Sequence, residues 1–299
     1  MSAPEAERSE ISPLGRLALS RSTVDRATHL RGDSDWVAAA WADPGTRVLV
    51  VRDSSALVRV DGGDVVYFGV SGPLEDGTVR SDENDVKPMS LRQVGAVLSD
   101  RDAGLLTHAV ALANWHDTHT HCPRCGTATI PASAGHLTTC PLDGTEHFPR
   151  LDPAVIMLVT DPDDRCLLAR NALWPKGRMS VLAGFVEPGE SVEQAVAREV
   201  FEEAAIIVGQ IRYLGSQPWP MPRSLMLGFQ AMAAGGQRIT VDDDEIGEAR
   251  WFTREEMRAS IDSGELGIAP TSSIARRLIE YWYGAELPDG PAAWSAPAR

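Results

Sequence analysis

Gly184-Phe185-Val186-Glu187-Pro188-Gly189-Glu190, followed after a seven-residue gap by Arg198-Glu199-Val200-Phe201-Glu202-Glu203, is the stretch that decides the reading of this chain. Ser191 is a good N-cap and Gln194 stands three residues on, a capping-box arrangement that starts a helix here. Val192, Ala195, Val196 and Val200 fall on one side of that helix, an apolar stripe suited to packing on a sheet. Glu199, Glu202 and Glu203 stand at i, i+3 and i+4, so their carboxylates project from one neighbouring face. Like charges so spaced repel by ~0.2–0.5 kcal/mol per pair. Hard divalent cations, which take clustered oxygen ligands, are the remedy. A solvated acidic face is the blander alternative, but it leaves Gly184, Pro188-Gly189 and Arg198 without a role.

The charge balance narrows the partners. The 299 residues can bury a sizeable core without disulfides and suffice for two compact domains. Forty-two acidic residues against 28 basic ones give a formal net charge of −14. That argues against a protein that coats DNA or RNA, and against binding an anionic membrane surface. A small polyanionic substrate stays compatible, because a bound divalent cation inverts the local charge. The opening MSAPEAERSE has no basic segment followed by an apolar run, so it does not read as a signal peptide. The longest apolar stretches, such as 154–159, are too short to span a bilayer. The expectation is a soluble, cytoplasmic protein.

Along the chain, residues 1–15 read as a flexible arm and 287–299 as a flexible tail. Between them stand three units. Residues 16–119 form a β-rich domain, with strands expected at 47–52, 56–60 and 65–70, a hairpin at Asp61-Gly62-Gly63-Asp64, and a helix over 101–119. Residues 120–150 are short and rich in Thr, Pro and Gly, and they carry three of the four cysteines. Residues 151–286 open with a buried-strand run at 154–160. A turn at Asp161-Pro162-Asp163-Asp164 leads to a strand at 165–170. The helix at 191–206, strands at 206–214 and 224–233, and a helix at 270–284 follow. The layering predicted is α+β or α/β.

Two further segments carry chemistry. In Ser216-Gln217-Pro218-Trp219-Pro220-Met221-Pro222-Arg223-Ser224, three prolines within five residues argue against a regular central strand and for a stiff loop. Such a loop would fix Gln217 and Trp219, and a planar Trp beside polar groups suits stacking on a nucleobase. A packed Trp on a structural connector is the alternative. Cys122-Pro123-Arg124-Cys125 is a metal knuckle, and Cys140 follows after fourteen intervening residues. A complete zinc ribbon would place its fourth cysteine at 143, where this chain has Asp143. Asp143 leads as fourth ligand by position, with His147, His136 and His121 as alternatives, or the site is degenerate and survives on packing. With three thiolates and no open position, such a site is structural. Cys166 falls in a strand pattern and reads as a core thiol.

The first stretch matches the Nudix box at every functional position, with Ala205 where that family carries Gly. If this residue needs a positive φ, Ala costs roughly 1 kcal/mol. The 216–224 segment resembles the SQPWPFPxS element of the NADH pyrophosphatase branch, with Met221 in place of Phe. Met keeps the apolar bulk and loses the flat face. The resemblance runs over about 92–283 and includes the cysteine segment, where relatives have a four-cysteine site. It implies a Nudix α/β/α sandwich domain preceded by a mixed β-rich N-terminal domain and a small zinc-ribbon-like segment.

The same resemblance implies Mg2+ or Mn2+ held by Glu199, Glu202 and Glu203, the backbone at Ala183, and a carboxylate from a later loop. That carboxylate is best matched by Glu245, with Asp244 as substitute. Substrate would be bound by Arg92, Phe148, the run Gln217, Pro218, Trp219, Pro220, Met221, Pro222, Arg223 and Ser224, and the backbone at Ala275. Arg198 is read as orienting a box carboxylate, and Glu203 or Glu245 as the base. The implied reaction is hydrolysis of the pyrophosphate of NAD(H) to nicotinamide mononucleotide and AMP, with the NAD cap of an RNA 5′ end as a second substrate. The implied assembly is a homodimer with composite sites. Two rivals stand beside it: a broader ADP-sugar or dinucleoside polyphosphate Nudix hydrolase, which would not depend on Trp219, and a noncatalytic zinc-ribbon binding module.

Overall fold

The computed structural model describes residues 12–52, 55–56, 67–71, 89–241 and 244–289. Helix α1 (Ser34–Ala42) leads into β1 (Arg47–Arg52), β2 (Ser55–Ala56), β3 (Tyr67–Ser71) and β4 (Met89–Ser90). These strands form a sheet of order β3-β1-β2-β4, with β1 and β3 parallel. The hairpin expected at 61–64 lies outside the described residues. Helices α2 (Leu91–Val94) and α3 (Asp100–Thr118) complete this domain, and Ser99 Oγ caps α3 by accepting from the Asp102 N–H. Leu49, Val51, Leu91, Leu106 and Val110 make its core. A small antiparallel sheet of β5 (Ile130–Ala132), β6 (Leu137–Thr139) and β7 (Glu146–His147) follows.

The third unit is built on β8 (Asp152–Thr160), β9 (Cys166–Asn171), β10 (Leu182–Phe185), β11 (Val208–Trp219), β12 (Ser224–Ala233) and β13 (Ile246–Phe252). The sheet runs β11-β12-β8-β9-β13, with β10 also paired to β8, and only β12 and β8 are parallel. Strand alternation sorts the side chains into two cores. Val155, Met157 and Val159 pack with Ala195, Val196 and Val200 of α4 (Val192–Ala204). Ile156 and Leu158 pack with Met257 of α5 (Arg254–Asp262) and Ile274 and Leu278 of α6 (Ile274–Tyr283). The sheet lies between helices, which is the α/β/α sandwich expected. Cys166 is fully buried, and that burial pushes its thiol pKa up. Among the described residues no helix is long and apolar enough to cross a membrane.

Three sequence expectations are corrected. Residues 12–15 belong to the fold and not to an arm. Leu14 and Leu17 sit in the core with Leu214 and Ile274, and Ser12 Oγ donates to the Leu214 carbonyl at 2.6 Å. Two leucines among polar residues carry no periodicity, so the local pattern hid them. The tail likewise begins too early at 287, because Leu287 is buried and its N–H donates to Glu280 at 3.1 Å. Third, the proline-rich segment is not a nine-residue loop. Strand β11 continues through Pro218 to Trp219, paired to Leu225 and Ser224 of β12, leaving only a turn at 220–223. An edge strand leaves alternate N–H groups unpaired, so a proline there costs no ladder bond.

Candidate active site

Helix α4 starts on the predicted capping box: Gln194 N–H donates to Ser191 Oγ, and Ser191 N–H to Gln194 Oε1 at 2.8 Å. It ends on Ala205 at φ 54°, ψ 32°, in the left-handed region. The position does ask for a positive φ, so Ala carries the strain of roughly 1 kcal/mol that Gly would avoid. Buried Ala204 and Ile206 on either side hold it there.

Arg198 organises the carboxylates around the helix. Its guanidinium reaches Glu190 at 2.5 Å, Glu199 at 2.8 Å and Glu202 at 2.9 Å, and donates to the Phe185 carbonyl at 2.9 Å. Glu190 in turn accepts from the Glu187 N–H at 2.8 Å, closing the loop before the helix. The Arg198 hydrogen bonds hold the Glu190 carboxyl below the usual carboxylate range. A Cβ on Gly184 would lie 1.9 Å from the Glu199 carboxyl carbon, so only glycine lets that carboxylate reach β10.

Glu203 is 6% exposed and accepts the Ala183 N–H, while its Oε2 has no hydrogen-bond partner. Burial first, then the charges of Glu199 and Glu245, pushes its carboxyl up to about 8. Burial also raises Glu199, against the pull of Arg198. A buried carboxylate oxygen without a donor, beside two further carboxylates, is an oxygen set that fits a hard dication. Glu202 stands at the solvent edge of this set, its side chain 58% exposed.

Ala183, Glu203, Glu245, Trp219 and Ala275 line one cavity of about 290 Å3. Arg92 lies with its guanidinium carbon 5.0 Å from the centroid of Trp219. Asp244 does not line this cavity, and Asp242 and Asp243 lie outside the described residues. The other predicted binding residues do not line this cavity. Gln217 is fully buried, its amide donating to the Ser272 carbonyl at 3.0 Å and its oxygen accepting from the Leu19 N–H. Met221 packs with Trp219 on the N-terminal core, and the carbonyls of Pro220 and Pro222 accept from the Asn114 amide of α3. Pro218 and Ser224 stay in the β11–β12 ladder, and Arg223 pairs with Asp152 at 2.6 Å. Phe148 is 65% exposed and outside the cavity. Sequence reasoning missed Trp174, Asn171 and Ser273, which do line it. The only local signal was an aromatic beside Pro175 in a short connector.

The cysteine segment forms two matching knuckles. Gly126 N–H donates to the Cys122 carbonyl and Gly144 N–H to the Cys140 carbonyl, both at 2.9 Å, with the glycines at φ 72° and 71°. Asp143 thus occupies in the second knuckle the position that Cys125 holds in the first. The ligand atoms of Cys122, Cys125, Cys140 and Asp143 all lie within 4.8 Å of one another. Burial pushes the Cys140 thiol up to about 11, while the Thr145 N–H holds the Asp143 carboxyl down to about 2. Three sulfurs and one ionised oxygen in this space fit a structural zinc.

Known proteins agree with this architecture. Family models match as a NADH pyrophosphatase-like rudimentary NUDIX domain over residues 24–115, a NADH pyrophosphatase zinc ribbon domain over 117–148 and a NUDIX domain over 150–271. The NAD-capped RNA hydrolase NudC of Mycobacterium bovis is 41% identical over 302 residues, covering 90% of this chain and 95% of its own. The human NAD-capped RNA hydrolase NUDT12 is 31% identical over 335 residues, covering 88% of this chain and 72% of its own. A crystal structure of a Nudix hydrolase from Nitrosomonas europaea is 23% identical, covers 56% of this chain and 94% of that one, and has a TM-score of 0.42. The sandwich, the ribbon and the N-terminal domain together make this chain a member of the Nudix hydrolase family, in its NADH pyrophosphatase branch.

Proposed function

We propose that this protein hydrolyses the pyrophosphate bond of NAD(H) to nicotinamide mononucleotide and AMP, and removes NAD caps from RNA 5′ ends by the same cut. The observation that carries the reading is one cavity lined by Glu203 and Glu245 and also by Trp219, so carboxylates and an aromatic platform share a wall. Glu199, Glu202, Glu203 and Glu245, with the backbone at Ala183, would hold Mg2+ or Mn2+. A cation held there would supply charge neutralisation of the diphosphate and acidification of a water. Arg198 keeps the carboxylates in place, Arg92 braces Trp219 through its ring face, and Ala275 lines the cavity. Glu203, whose buried Oε2 has no hydrogen-bond partner, or Glu245 would serve as the general base.

A homodimer in the cytoplasm belongs to the same reading. Exposed Phe148, which does not line its own chain's cavity, is the residue a second copy would bring to the site. The test incubates wild type and Glu203→Gln with NADH, ADP-ribose and NAD-capped RNA plus Mg2+ or Mn2+. We expect turnover of NADH and capped RNA by wild type and a fall of about 100-fold or more in the variant, the scale of removing one electrostatic stabiliser. Equal turnover by both, or none by wild type, would reject the reaction. Zinc content of Asp143→Ala, expected to fall against wild type, checks the fourth ribbon ligand.

A further inference from the structure

The cavity contains two tryptophans, and only Trp219 has been given a task. Trp174 lines the same space and carries its own arginine, with the Arg178 guanidinium carbon 4.8 Å from its ring centroid. Trp219 and Arg92 form the equivalent pair at 5.0 Å. Burial first, then the charge of Arg92, lowers the Arg178 pKa, so the two guanidinium groups feel each other. A cation held over an indole is attracted by the ring quadrupole and steadies the ring, and both indoles line the cavity. At the end of the sheet where β11 reaches Trp219, residues 154–157 of β8 pair with β12 on one side and β10 on the other, and β9, which precedes Trp174, joins beyond β10 through Ala169 and Ser180. Four strand steps, roughly 19 Å, thus separate β11 from β9 there.

The loop that carries Trp174 is preorganised. Trp174 N–H donates to the Asn171 carbonyl at 2.9 Å, Leu173 N–H to Asn171 Oδ1 at 3.0 Å, and Arg170 to the Trp174 carbonyl at 3.1 Å. Ala172 N–H donates at 2.8 Å to the carbonyl of Glu245, so this platform is tied to the backbone of a proposed metal ligand. Gly177, at φ 82°, lies against the Glu265 carbonyl where a Cβ would clash at 2.4 Å, which fixes the far end of the loop.

We propose that Trp174, backed by Arg178, is a second stacking platform that takes the heterocycle of the dinucleotide which Trp219 does not. The inference rests on a dinucleotide as substrate. It makes Trp174 a specificity-determining residue: a substrate with two rings engages both platforms, and an ADP-sugar engages one. Its test reads binding and not turnover. AMP and nicotinamide mononucleotide are each titrated calorimetrically onto the full-length chain as wild type, Trp174→Ala, Trp174→Phe and Trp219→Ala. Stacking of one base predicts that each alanine variant loses about tenfold in affinity for one mononucleotide and less than twofold for the other, in complementary fashion. Trp174→Phe regains most of the loss. Weakening of the same mononucleotide by both variants would mean a single-ring sandwich and overturn the proposal. So would an effect of Trp174→Ala on both ligands or on neither, or a wild type that binds neither mononucleotide. If the complementary pattern holds while wild type leaves NADH intact, the reaction fails and the two platforms stand.

Discussion

Glycine at 184 is a requirement of Glu199. The atom that a Cβ would strike is the end of a flexible side chain, so the carboxylate can swing aside at little cost to the fold. Gly184→Ala should therefore melt within a few degrees of wild type and lose about 100-fold in kcat, the scale of an ångström-sized misplacement. A large fall in Tm with kcat per folded molecule intact would contradict this placement. The box residues were legible in the sequence because a helix brings i, i+3 and i+4 together by local geometry alone. Glu245 was legible only through resemblance, since 42 residues separate it from Glu203 and no local period relates them. Trp174 was not legible at all, because its place in the cavity depends on how β9 sits in the sheet.

Helix α3 meets the ribbon through histidines. His108 and His136 stand edge to face with centroids 5.1 Å apart, and the ring of His116 lies 2.8 Å from the Gly135 carbonyl. Burial first, then Arg26, His136 and Arg31, lowers the His108 pKa to about 4, and burial lowers His136 as well. The unfolded chain would bind a proton near pH 6.5 that the folded chain refuses until about pH 4, so the contact is fully stabilising above 6.5 and is lost as pH falls through 4. Acidification from pH 7 to 4 should cost on the order of 2 kcal/mol through His108, discounted for its partial exposure. Chemical denaturation of His108→Gln across that range should show a shallower pH slope than wild type. Identical slopes would remove His108 as the cause. At the same scale, the proline-rich element misled local reading because proline is judged against a central strand, whereas β11 turned out to be an edge.

Residues 12–21 join the molecule across its length. Leu14 and Leu17 enter the Nudix core, Leu19 the N-terminal core, and Arg21 bonds Asp100 and the Gly95 carbonyl. Leu17→Ala, far in sequence from the sandwich, should lower the stability of the Nudix unit by about 2–4 kcal/mol. Melting followed by tryptophan fluorescence checks it, and loss confined to the N-terminal domain would argue against the shared core. The sandwich itself was readable from its strand and helix periods, but this tie was not, because its two partners are about 200 residues apart. One consequence concerns modularity. The turn that follows Trp219 hangs from Asn114 by two hydrogen bonds of its side-chain amide, while the glutamates proposed to hold metal lie wholly within the sandwich. A gene fusion cut at the ribbon would carry the proposed cleaving centre away and leave behind the scaffold that seats Trp219. On the proposed assignment the Nudix unit of this chain is no portable cassette: transplanted alone, it is expected to keep a taste for diphosphates and forget which nucleotide to choose.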